Sequence, residues 1–355
     1  MKGLILAGGQ GTRLRPLTYT SAKQLVPVAN KPVLYYGLEA FAQAGIREVG
    51  MIVGHTADEI RAAVGDGSRW GLSVTYIPQD APRGLAHAVL ISEEFMAGEP
   101  FVMYLGDNLV KDGIVPFVEE FAAGGCNAQI LLAKVPDPSQ FGVAELGENG
   151  HVVRLEEKPA APTSDLALVG VYLFDANVFE AVKAIEPSRR GELEITDAIQ
   201  YLVDAGYVVR PHVISGWWKD TGKVEDMLEA NRIILDTVER RVEGETDAES
   251  RLEGKVVLAP TARVVRSLLR GPCVIGEEAV IEDSFVGPYT AVGGRCEIRS
   301  CEVENSIVLE GSRLERLPHR LEGSLLGKGV TVRRSGGLPV ALRLVVGDHS
   351  QVELP

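Results

Sequence analysis

The stretch Leu6-Ala7-Gly8-Gly9-Gln10-Gly11-Thr12-Arg13-Leu14 continues directly from an apolar run that begins at residue 2 and is typical of a buried β-strand. Glycines let a backbone approach a ligand closely, and successive backbone N–H groups can form an anion-binding concavity. The stretch lacks the GxGxxG fingerprint of dinucleotide-binding folds and the GxxxxGK[ST] pattern of P-loops. On its own it indicates either an anion site or a simple tight turn after the first strand, and it argues against a dinucleotide-binding dehydrogenase.

The distribution of charge favours the anion site. The formal net charge is −13 at pH 7, which argues against nucleic acid as a partner. The first acidic residue is nevertheless Glu39, and five cations precede it: Lys2, Arg13, Arg15, Lys23 and Lys31. Such a segment provides a local positive field for a small polyanion, although a solvated basic loop remains the alternative. Arg13 and Lys23 could form charge-assisted hydrogen bonds to a leaving pyrophosphate.

The first two thirds of the chain alternate short apolar runs with helical patterns. The predicted strands are residues 2–7, 48–53, 74–77, 101–105, 128–134 and 169–174, and the predicted helices are residues 32–44, 57–64, 85–95 and 114–123. This alternation is typical of an α/β fold with a mostly parallel sheet and helices on both faces. Ligands bind such sheets beyond the carboxyl ends of the strands, so the first candidates are residues 8–15, Gln79, Asp107 and Asp220.

The pattern changes after a predicted helix over residues 224–241. Residues 243–253 are charged and lack apolar periodicity, and we predict the domain limit there, giving domains 1–242 and 243–355. Beyond it, Val274, Val280, Val286, Val292 and Ile298 recur at a spacing of six, which is the signature of a parallel β-helix. If aliphatic–glycine pairs are followed instead, the register slips by one residue between 281 and 286. The pattern breaks at residue 304, and chance clustering of valines is the alternative.

Several features bear on cellular location and assembly. The chain has no apolar run of the roughly 18–20 residues that span a bilayer, and the apolar start is too short for a signal-peptide core. The four cysteines form no CxxC pair, as expected for reduced thiols. We therefore expect a cytoplasmic protein without membrane or nucleic-acid partners. An open β-helix often buries a face against a neighbour, so we also expect a homo-oligomer.

The opening stretch, taken with later motifs, resembles the signature of the sugar nucleotidyltransferases. The motifs are residues 6–14, 21–28, 31–32, 78–79, 84–86, 105–108, 141–143, 156–159, 191–197 and 218–222, in the family's order and spacing over about the first 235 residues. The resemblance implies a Rossmann-like nucleotidyltransferase sheet. It is closest to the branch that joins dTTP to glucose-1-phosphate, whose longer members carry a C-terminal left-handed β-helix.

The resemblance also implies roles for individual residues. Arg13, Lys23 and Asp107 would be catalytic, with Arg13 at the β- and γ-phosphates and Lys23 near the α-phosphate. Asp107 and Asp220 would bind Mg²⁺. The implied nucleotide-binding residues are Leu6, Gly8, Gly9, Gly11, Thr12, Arg13, Gln79, Gly84 and Asp107. The implied sugar-phosphate-binding residues are Gly142, Glu157, Lys158, Val169, Glu194 and Trp218, with any contact at Val169 coming from its backbone.

The nucleotide base is implied by Gln79. A primary amide can donate to O4 and accept from N3–H of thymine or uracil, whereas cytosine presents the reverse pattern. The amide cannot sense the thymine methyl group, so dTTP and UTP both remain open. Two other functions stay open at this point: a non-catalytic sugar-nucleotide-binding paralogue, and a bifunctional enzyme whose β-helix transfers an acyl group through His319 or His349.

Overall fold

The computed structural model describes residues 1–111, 113–336 and 342–354. Contacts divide these residues into two compact units. The first contains Met1–Gln10 and Val33–Asp220, and the second contains Gly11–Pro32 and the described residues from Thr221 onward. The predicted domain limit at residues 242 and 243 falls inside the second unit and stays a prediction. Among the described residues, none of the helices is both long and apolar enough to cross a membrane.

The strands up to residue 220 are short and mostly apolar. They are β1 (Lys2–Leu6), β2 (Pro27–Val28), β3 (Lys31–Pro32), β4 (Glu48–Val53), β5 (Ser73–Pro78), β6 (Phe101–Leu105), β7 (Asn108–Val110), β8 (Ala128–Lys134), β9 (Gly142–Leu146), β10 (Val152–Glu157), β11 (Leu166–Phe174), β12 (Val209–Val213) and β13 (Trp218–Asp220). The α-helices are α1 (Val33–Gln43), α2 (Ala57–Val64), α3 (Leu85–Ile91), α4 (Glu93–Met96), α5 (Val115–Ala122), α6 (Val178–Ala184), α7 (Ile195–Asp204) and α8 (Val224–Thr237).

The first unit is built on a nine-stranded sheet of described residues with the order β10-β9-β11-β6-β1-β4-β5, in which β8 pairs with β11 and β12. Strands β5, β4, β1 and β6 are parallel to one another. Strand β11 runs antiparallel to β6, β8 and β9, and β10 runs antiparallel to β9. All strands of this sheet except β10 and β11 therefore point the same way, which confirms the mostly parallel α/β sheet.

Helices cover both faces of this sheet. On one face, α1 packs so closely that a Cβ on Gly3 of β1 would lie 3.0 Å from the Phe41 ring. On the other face, Leu4 and Phe101 belong to a buried apolar cluster that also includes residues of α3, α6 and α7, such as Val89 and Ile199. The alternation of side chains along β1 explains why one strand serves both layers.

One predicted helix is interrupted. Residues 85–95 were expected to form a single helix, but α3 ends at Ile91 and α4 begins at Glu93. The buried Ser92 stands between them, and both its backbone N–H and its hydroxyl donate to the carbonyl of Val89. A serine that bonds back to the preceding turn competes with the helical hydrogen-bond ladder, which the apolar spacing of the segment does not reveal.

The C-terminal strands form three stacked parallel sheets. They are β14 (Arg241–Val242), β15 (Glu245–Thr246), β16 (Arg251–Glu253), β17 (Val256–Leu258), β18 (Arg263–Val265), β19 (Leu268–Arg270), β20 (Cys273–Ile275), β21 (Val280–Glu282), β22 (Phe285–Val286), β23 (Thr290–Val292), β24 (Glu297–Arg299), β25 (Glu302–Glu304), β26 (Ile307–Val308), β27 (Arg313–Glu315), β28 (Leu321–Glu322), β29 (Leu325–Leu326) and β30 (Thr331–Arg333). Every third strand pairs in parallel, as in a left-handed β-helix, so the predicted β-helix is confirmed. The charged residues 243–253, expected to lack regular structure, already contain strands of this coil.

The coil explains why the six-residue column is only partly right. Val257 pairs with Val274 and Val274 with Ala291, so one turn takes 17 residues rather than three full hexads. The inward column therefore shifts by one residue within each turn. Val286, Val292 and Ile298 do face the interior and are fully buried, but Ile275 and Ile281 fill it in place of the predicted Val274 and Val280.

Candidate active site

The carboxyl ends of three parallel strands meet beyond the first glycine pair. The N–H of Ala7, after β1, donates to Ile52 of β4, and the N–H of Gln79, after β5, donates to Val53. A Cβ on Gly8 would lie 3.4 Å from the nitrogen of Gly54 and 3.5 Å from Gln79 Oε1. Leu6 and Gly8 thus lie beside Gln79 at the sheet edge where ligands bind in α/β folds, and the exposed Gly9 follows them.

A histidine orients the Gln79 side chain. Gln79 Nε2 lies 3.0 Å from His87 Nδ1 and 3.4 Å from the carbonyl oxygen of Gly84. Partial burial and the nearby Arg83 guanidinium lower the pKa of His87 below its ordinary value of 6.5. The imidazole is therefore neutral at pH 7, and Nδ1 can accept from the amide. This leaves one N–H and the oxygen of Gln79 to face a ligand.

The turn that follows Gln79 is anchored to a distant segment. Gly84 has a φ of 102°, and a Cβ there would lie 2.3 Å from the carbonyl oxygen of Leu193, so only glycine fits. The N–H of Leu193 donates to Arg83, and the N–H of Ala86 donates to Leu193. The residue after Leu193 is Glu194, another predicted site residue, so this anchor links the Gln79 loop to the predicted sugar site.

Asp107 and Asp220 are brought together by a short strand pair. Asp107 follows β6 and is 7% exposed. Strand β7 pairs antiparallel with β13 in a register that sets Asp220 opposite Asn108, the neighbour of Asp107. Asn108 Nδ2 donates to Asp107 Oδ1 at 3.1 Å, and Trp218 Nε1 donates to Asn108 Oδ1 at 2.5 Å. The two aspartates separated by more than a hundred residues in sequence are thus neighbours in the fold.

The donor set of this pair suits a hard cation. Two carboxylates supply oxygen ligands only, as Mg²⁺ prefers, and Mg²⁺ usually takes its remaining ligands from water and substrate phosphates. Among the described residues no group of three or more His, Cys, Asp or Glu side chains is arranged to hold a metal. The pair therefore fits an ion shared with a phosphate ligand, and not a closed structural metal site.

A second cluster surrounds Glu157 at the end of β10. Gly142 of β9 pairs with Glu157, and a Cβ on Gly142 would lie 2.5 Å from Thr196 Cγ2 and 3.1 Å from Glu157 Oε2. Thr196 Oγ1 donates to Glu157 Oε2 at 3.3 Å, while Lys158 Nζ lies 3.8 Å from Glu157 Oε1. Gly142 leaves the space in which the carboxylate can meet a ligand.

Two acidic groups of this cluster are held by one arginine. Arg190 Nη1 lies 3.4 Å from Glu157 Oε1 and 3.2 Å from Glu194 Oε1, and Ser188 Oγ donates to Glu194 at 2.8 Å. Burial and the nearby Glu194 raise the pKa of Glu157. Burial also raises the pKa of Glu194. Both carboxyl groups are easier to protonate than exposed ones, so this cluster is sensitive to acid.

Trp218 and Val169 complete the surroundings. The Trp218 ring meets Phe141 edge-on at 5.2 Å, next to the residue that precedes Gly142. Val169 lies on β11 with its side chain fully buried. The pairing of β11 with β8 is irregular between residues 168 and 172, so the backbone at Val169 is not tied into a regular ladder. Any ligand contact at Val169 would come from its backbone.

A model of one protein family matches this chain over residues 2–237, and its description is nucleotidyl transferase. The chain belongs to the nucleotidyl transferase family. A glucose-1-phosphate thymidylyltransferase of Streptomyces griseus is 57% identical over 354 residues, covering 100% of this chain and 99% of the relative. The low-salt glycan biosynthesis nucleotidyltransferase Agl11 of Haloferax volcanii is 47% identical over 358 residues, covering 100% of both chains.

Solved structures of the same family match the first two thirds of the chain. A Bacillus anthracis protein assigned as a glucose-1-phosphate thymidylyltransferase and solved with sucrose shares 39% identity with a TM-score of 0.62, covering 66% of this chain and 94% of its own. A UDP-glucose pyrophosphorylase solved with UDP-glucose shares 25% identity with a TM-score of 0.59, covering 66% and 98%. The nucleotidyl transferase fold predicted from the motifs is therefore confirmed.

The remaining predicted residues of this nucleotidyl transferase lie on the segment Gly11–Pro32, which is counted with the second unit. Thr12 and Arg13 form a short 3-10 helix that ends at Leu14, and Lys23 begins another that ends at Leu25. Gly11 has a φ of 64°, and a Cβ there would lie 2.8 Å from Lys23 Cβ and 2.9 Å from Thr18 Cγ2. This close approach brings the turns that carry Arg13 and Lys23 together.

Replacing Gly11 with alanine should disturb the turns that carry both cations. An L-residue in the left-handed region costs about 1–2 kcal/mol, and the new Cβ would also force Thr18 and Lys23 apart. We expect the KM for the nucleoside triphosphate to rise at least about tenfold, since a shift of that energy is a factor of about ten. Steady-state kinetics would measure it.

Gly45→Ala is a matched control for this prediction. Gly45 has a φ of 74°, but a Cβ there would meet nothing within 4 Å, so the variant carries the backbone strain without the collision. It should lose stability and keep its KM. An unchanged KM in Gly11→Ala would show that the turn does not position the cations.

Three residues of the site were missed by sequence reasoning. Arg190 bridges Glu157 and Glu194, Asn108 joins Asp107 to Trp218, and His87 sets the amide of Gln79. Arg190 and Asn108 are next to or within quoted motifs, so adjacency to a motif was the available signal. The bond from His87 to Gln79 depends on α3 returning over the loop, and the sequence carries no comparable signal for it.

Proposed function

We propose that this nucleotidyl transferase is a glucose-1-phosphate thymidylyltransferase that converts dTTP and glucose-1-phosphate into dTDP-glucose and pyrophosphate. The observation that carries the proposal is the convergence, at one edge of the sheet, of Gln79, of the Asp107–Asp220 pair and of the carboxylate cluster around Glu157. Full-length relatives with the name of this activity support it.

The chemistry asks for positioning and charge neutralisation more than for acid–base catalysis. An oxygen of the glucose-1-phosphate phosphate group attacks the α-phosphorus of dTTP, a P–O bond forms, and the bond to pyrophosphate breaks in line. A phosphate monoester loses its second proton with a pKa near 6, so the attacking oxygen is already ionised at pH 7. The protein therefore has no proton to remove from the nucleophile.

The nucleotide phosphates are assigned to three groups of residues. Glycines Gly8, Gly9 and Gly11, with Thr12, would offer backbone N–H groups to phosphate oxygens. Arg13 would bind the β- and γ-phosphates, and Lys23 would bind near the α-phosphate. Asp107 and Asp220 would hold Mg²⁺, which when bound neutralises charge on the phosphate oxygens.

The sugar phosphate is assigned to the Glu157 cluster. A buried carboxylate can accept hydrogen bonds from two neighbouring hydroxyls of glucose, and Glu157 and Glu194 are two such groups held by Arg190. Lys158 and Arg190 supply positive charge for the sugar phosphate. Trp218 would line the pocket, and Gly142 together with the backbone of Val169 would allow close approach of the sugar ring.

Gln79 would read the base, with His87 fixing its direction. His87 Nδ1 accepts from one N–H of the amide, so the other N–H is available to O4 and the oxygen to N3–H of thymine or uracil. The neutral His87 is a condition of this arrangement, because an imidazolium has no acceptor nitrogen.

Replacing Gln79 with glutamate should impair dTTP and UTP together. A carboxylate cannot donate to O4 and would repel it, and an unpaired polar group in a site costs about 1–3 kcal/mol. We expect kcat/KM for both nucleotides to fall by about ten- to a hundredfold, with the KM for glucose-1-phosphate unchanged. Asp80→Asn, at the exposed neighbouring residue, is the control. Unchanged kinetics of Gln79→Glu would remove Gln79 from base reading.

The proposed activity is tested by measuring pyrophosphate release with five nucleoside triphosphates crossed against several sugar-1-phosphates. We expect the highest kcat/KM for dTTP with glucose-1-phosphate. A preference for UTP would make the chain a uridylyltransferase, the alternative that Gln79 leaves open. Absence of release with every pair, together with tight binding of dTDP-glucose, would indicate a non-catalytic paralogue, although the presence of Arg13, Lys23, Asp107 and Asp220 argues against it.

A further inference from the structure

The segment Gly11–Pro32 carries Arg13 and Lys23, yet its contacts group it with the C-terminal β-helix and not with the sheet that precedes it in sequence. Strands β2 and β3 of this segment form a two-residue hairpin whose turn is Ala29-Asn30. Both turn residues have positive φ, 48° for Ala29 and 62° for Asn30. Hairpin turns of this type favour Asn and Gly, and an alanine persists there only where its surroundings fix it.

The surroundings that fix this turn belong to α8 and the β-helix. The N–H of Ala29 donates to Asn231 Oδ1 at 2.9 Å, and Asn231 Nδ2 donates in turn to the carbonyl oxygen of Tyr289 at 2.9 Å. Asn30 Nδ2 donates to the carbonyl oxygen of Val292 at 2.6 Å. Asn231, on α8, is fully buried, so one side chain joins the hairpin, the helix and the β-helix.

The outer face of one β-helix sheet is built to be covered. In the register that joins β17, β20, β23, β26 and β29, the residues on the outward side are Val257, Val274, Ala291, Ile307 and Leu325. Ala291 and Ile307 are 0% and 1% exposed although they point away from the coil interior. Leu17, on the same N-terminal segment, reaches within 3.2 Å of the position that a Cβ on Gly327 would take.

We propose that the β-helix positions the triphosphate-binding segment of the enzyme, and that Asn231 is the positioning residue that couples them. Asn231 satisfies the turn at Ala29 and the coil at Tyr289 at once, so the hairpin, and with it the turns that carry Arg13 and Lys23, is held on the face of the β-helix. The β-helix is then a part of substrate binding and not an appended structural domain. The inference rests on the proposed function for the identity of the ligand only.

Replacing Asn231 with alanine tests the coupling. The variant removes both hydrogen bonds and leaves the N–H of Ala29 without its acceptor. We expect the Kd for Mg-dTTP to rise about tenfold, as loss of a buried hydrogen-bond partner implies, with an unchanged KM for glucose-1-phosphate. Hydrogen exchange of the Ala29 amide and of residues 11–32 should become faster.

Two further variants keep the test decisive. Asn30→Asp is nearly isosteric and tolerates positive φ, but it sets a carboxylate against the carbonyl of Val292. It should weaken nucleotide binding in the same way even if Asn231→Ala folds poorly. Ser284→Ala is the control, because the Ser284 hydroxyl accepts from the N–H of Cys301 inside the coil. It should lower the melting temperature and leave both substrates' binding unchanged.

The outcomes separate this inference from the proposed function. Wild-type affinity for Mg-dTTP and wild-type exchange of residues 11–32 in both Asn231→Ala and Asn30→Asp would overturn the coupling. Faster exchange in both variants, in a wild-type protein that binds no dTTP, would support the coupling and reject the proposed nucleotide instead.

Discussion

Asp107→Asn is expected to lower kcat by about a thousandfold, which corresponds to about 4 kcal/mol of lost transition-state stabilisation. The change removes one of the two negative charges proposed to hold Mg²⁺ and leaves the size of the side chain nearly unchanged. The hydrogen bond from Asn108 Nδ2 to Asp107 Oδ1 can persist to an asparagine oxygen, so the fold should survive. Turnover measured over a range of Mg²⁺ concentrations would show the loss, with an increased Mg²⁺ requirement for any residual activity.

A matched control is Asp175→Asn. Asp175 also follows a strand, β11, and accepts hydrogen bonds from Asn127 and Asn177. Because β11 runs antiparallel to β6, Asp175 lies at the opposite edge of the sheet from Asp107. The control should lose stability and keep its turnover. Near-normal turnover of Asp107→Asn at low Mg²⁺ would refute the proposed metal role.

Glu157→Gln is expected to raise the KM for glucose-1-phosphate by about a hundredfold and to leave the KM for dTTP nearly unchanged. The charged acceptor of the sugar hydroxyls is lost, and hydrogen bonds to charged groups are worth about 1.5–3 kcal/mol. Lys158 and Arg190 also lose a carboxylate partner. Kinetics with each substrate varied separately would measure the effect, and Glu156→Gln, at the exposed neighbour, is the control.

The same residue predicts a pH dependence. Burial and the charge of Glu194 raise the pKa of Glu157, so protonation begins at a higher pH than for an exposed glutamate. The carboxylate form binds the sugar, and therefore the KM for glucose-1-phosphate should rise as the pH falls through this raised pKa. In Glu157→Gln this acid limb should flatten. An unaltered limb in the variant would mean that another group, such as Glu194, is responsible.

The sequence predicted the sheet and the main strand ends well because apolar runs of five to seven residues are decisive when strands are buried on both faces. Strands β4, β6 and β8 have the predicted limits. Local patterns could not reveal the break at Ser92, since it depends on one side-chain hydrogen bond. They also could not fix the β-helix register, because a coil of 17 residues rotates the inward column by one residue in each turn.

The predicted site depends on contacts of very different range. Asp107 and Gln79 could be found from strand ends alone, whereas Asp220 needed the resemblance, because only the pairing of β13 with β7 brings it to Asn108. The association of residues 11–32 with the β-helix could not be foreseen. The buried Asn231 that connects them lies in an ordinary helical sequence, and its partners are the backbone of Ala29 and Tyr289.

The most direct test of the proposed reaction follows the phosphorus atoms of dTTP. The protein is incubated with glucose-1-phosphate, Mg²⁺ and dTTP labelled either at the α- or at the γ-phosphate, and the products are separated. Attack at the α-phosphorus predicts α-label in dTDP-glucose and γ-label in pyrophosphate. Label from the γ-position in a sugar phosphate or in free phosphate, with no labelled dTDP-glucose, would contradict the assignment.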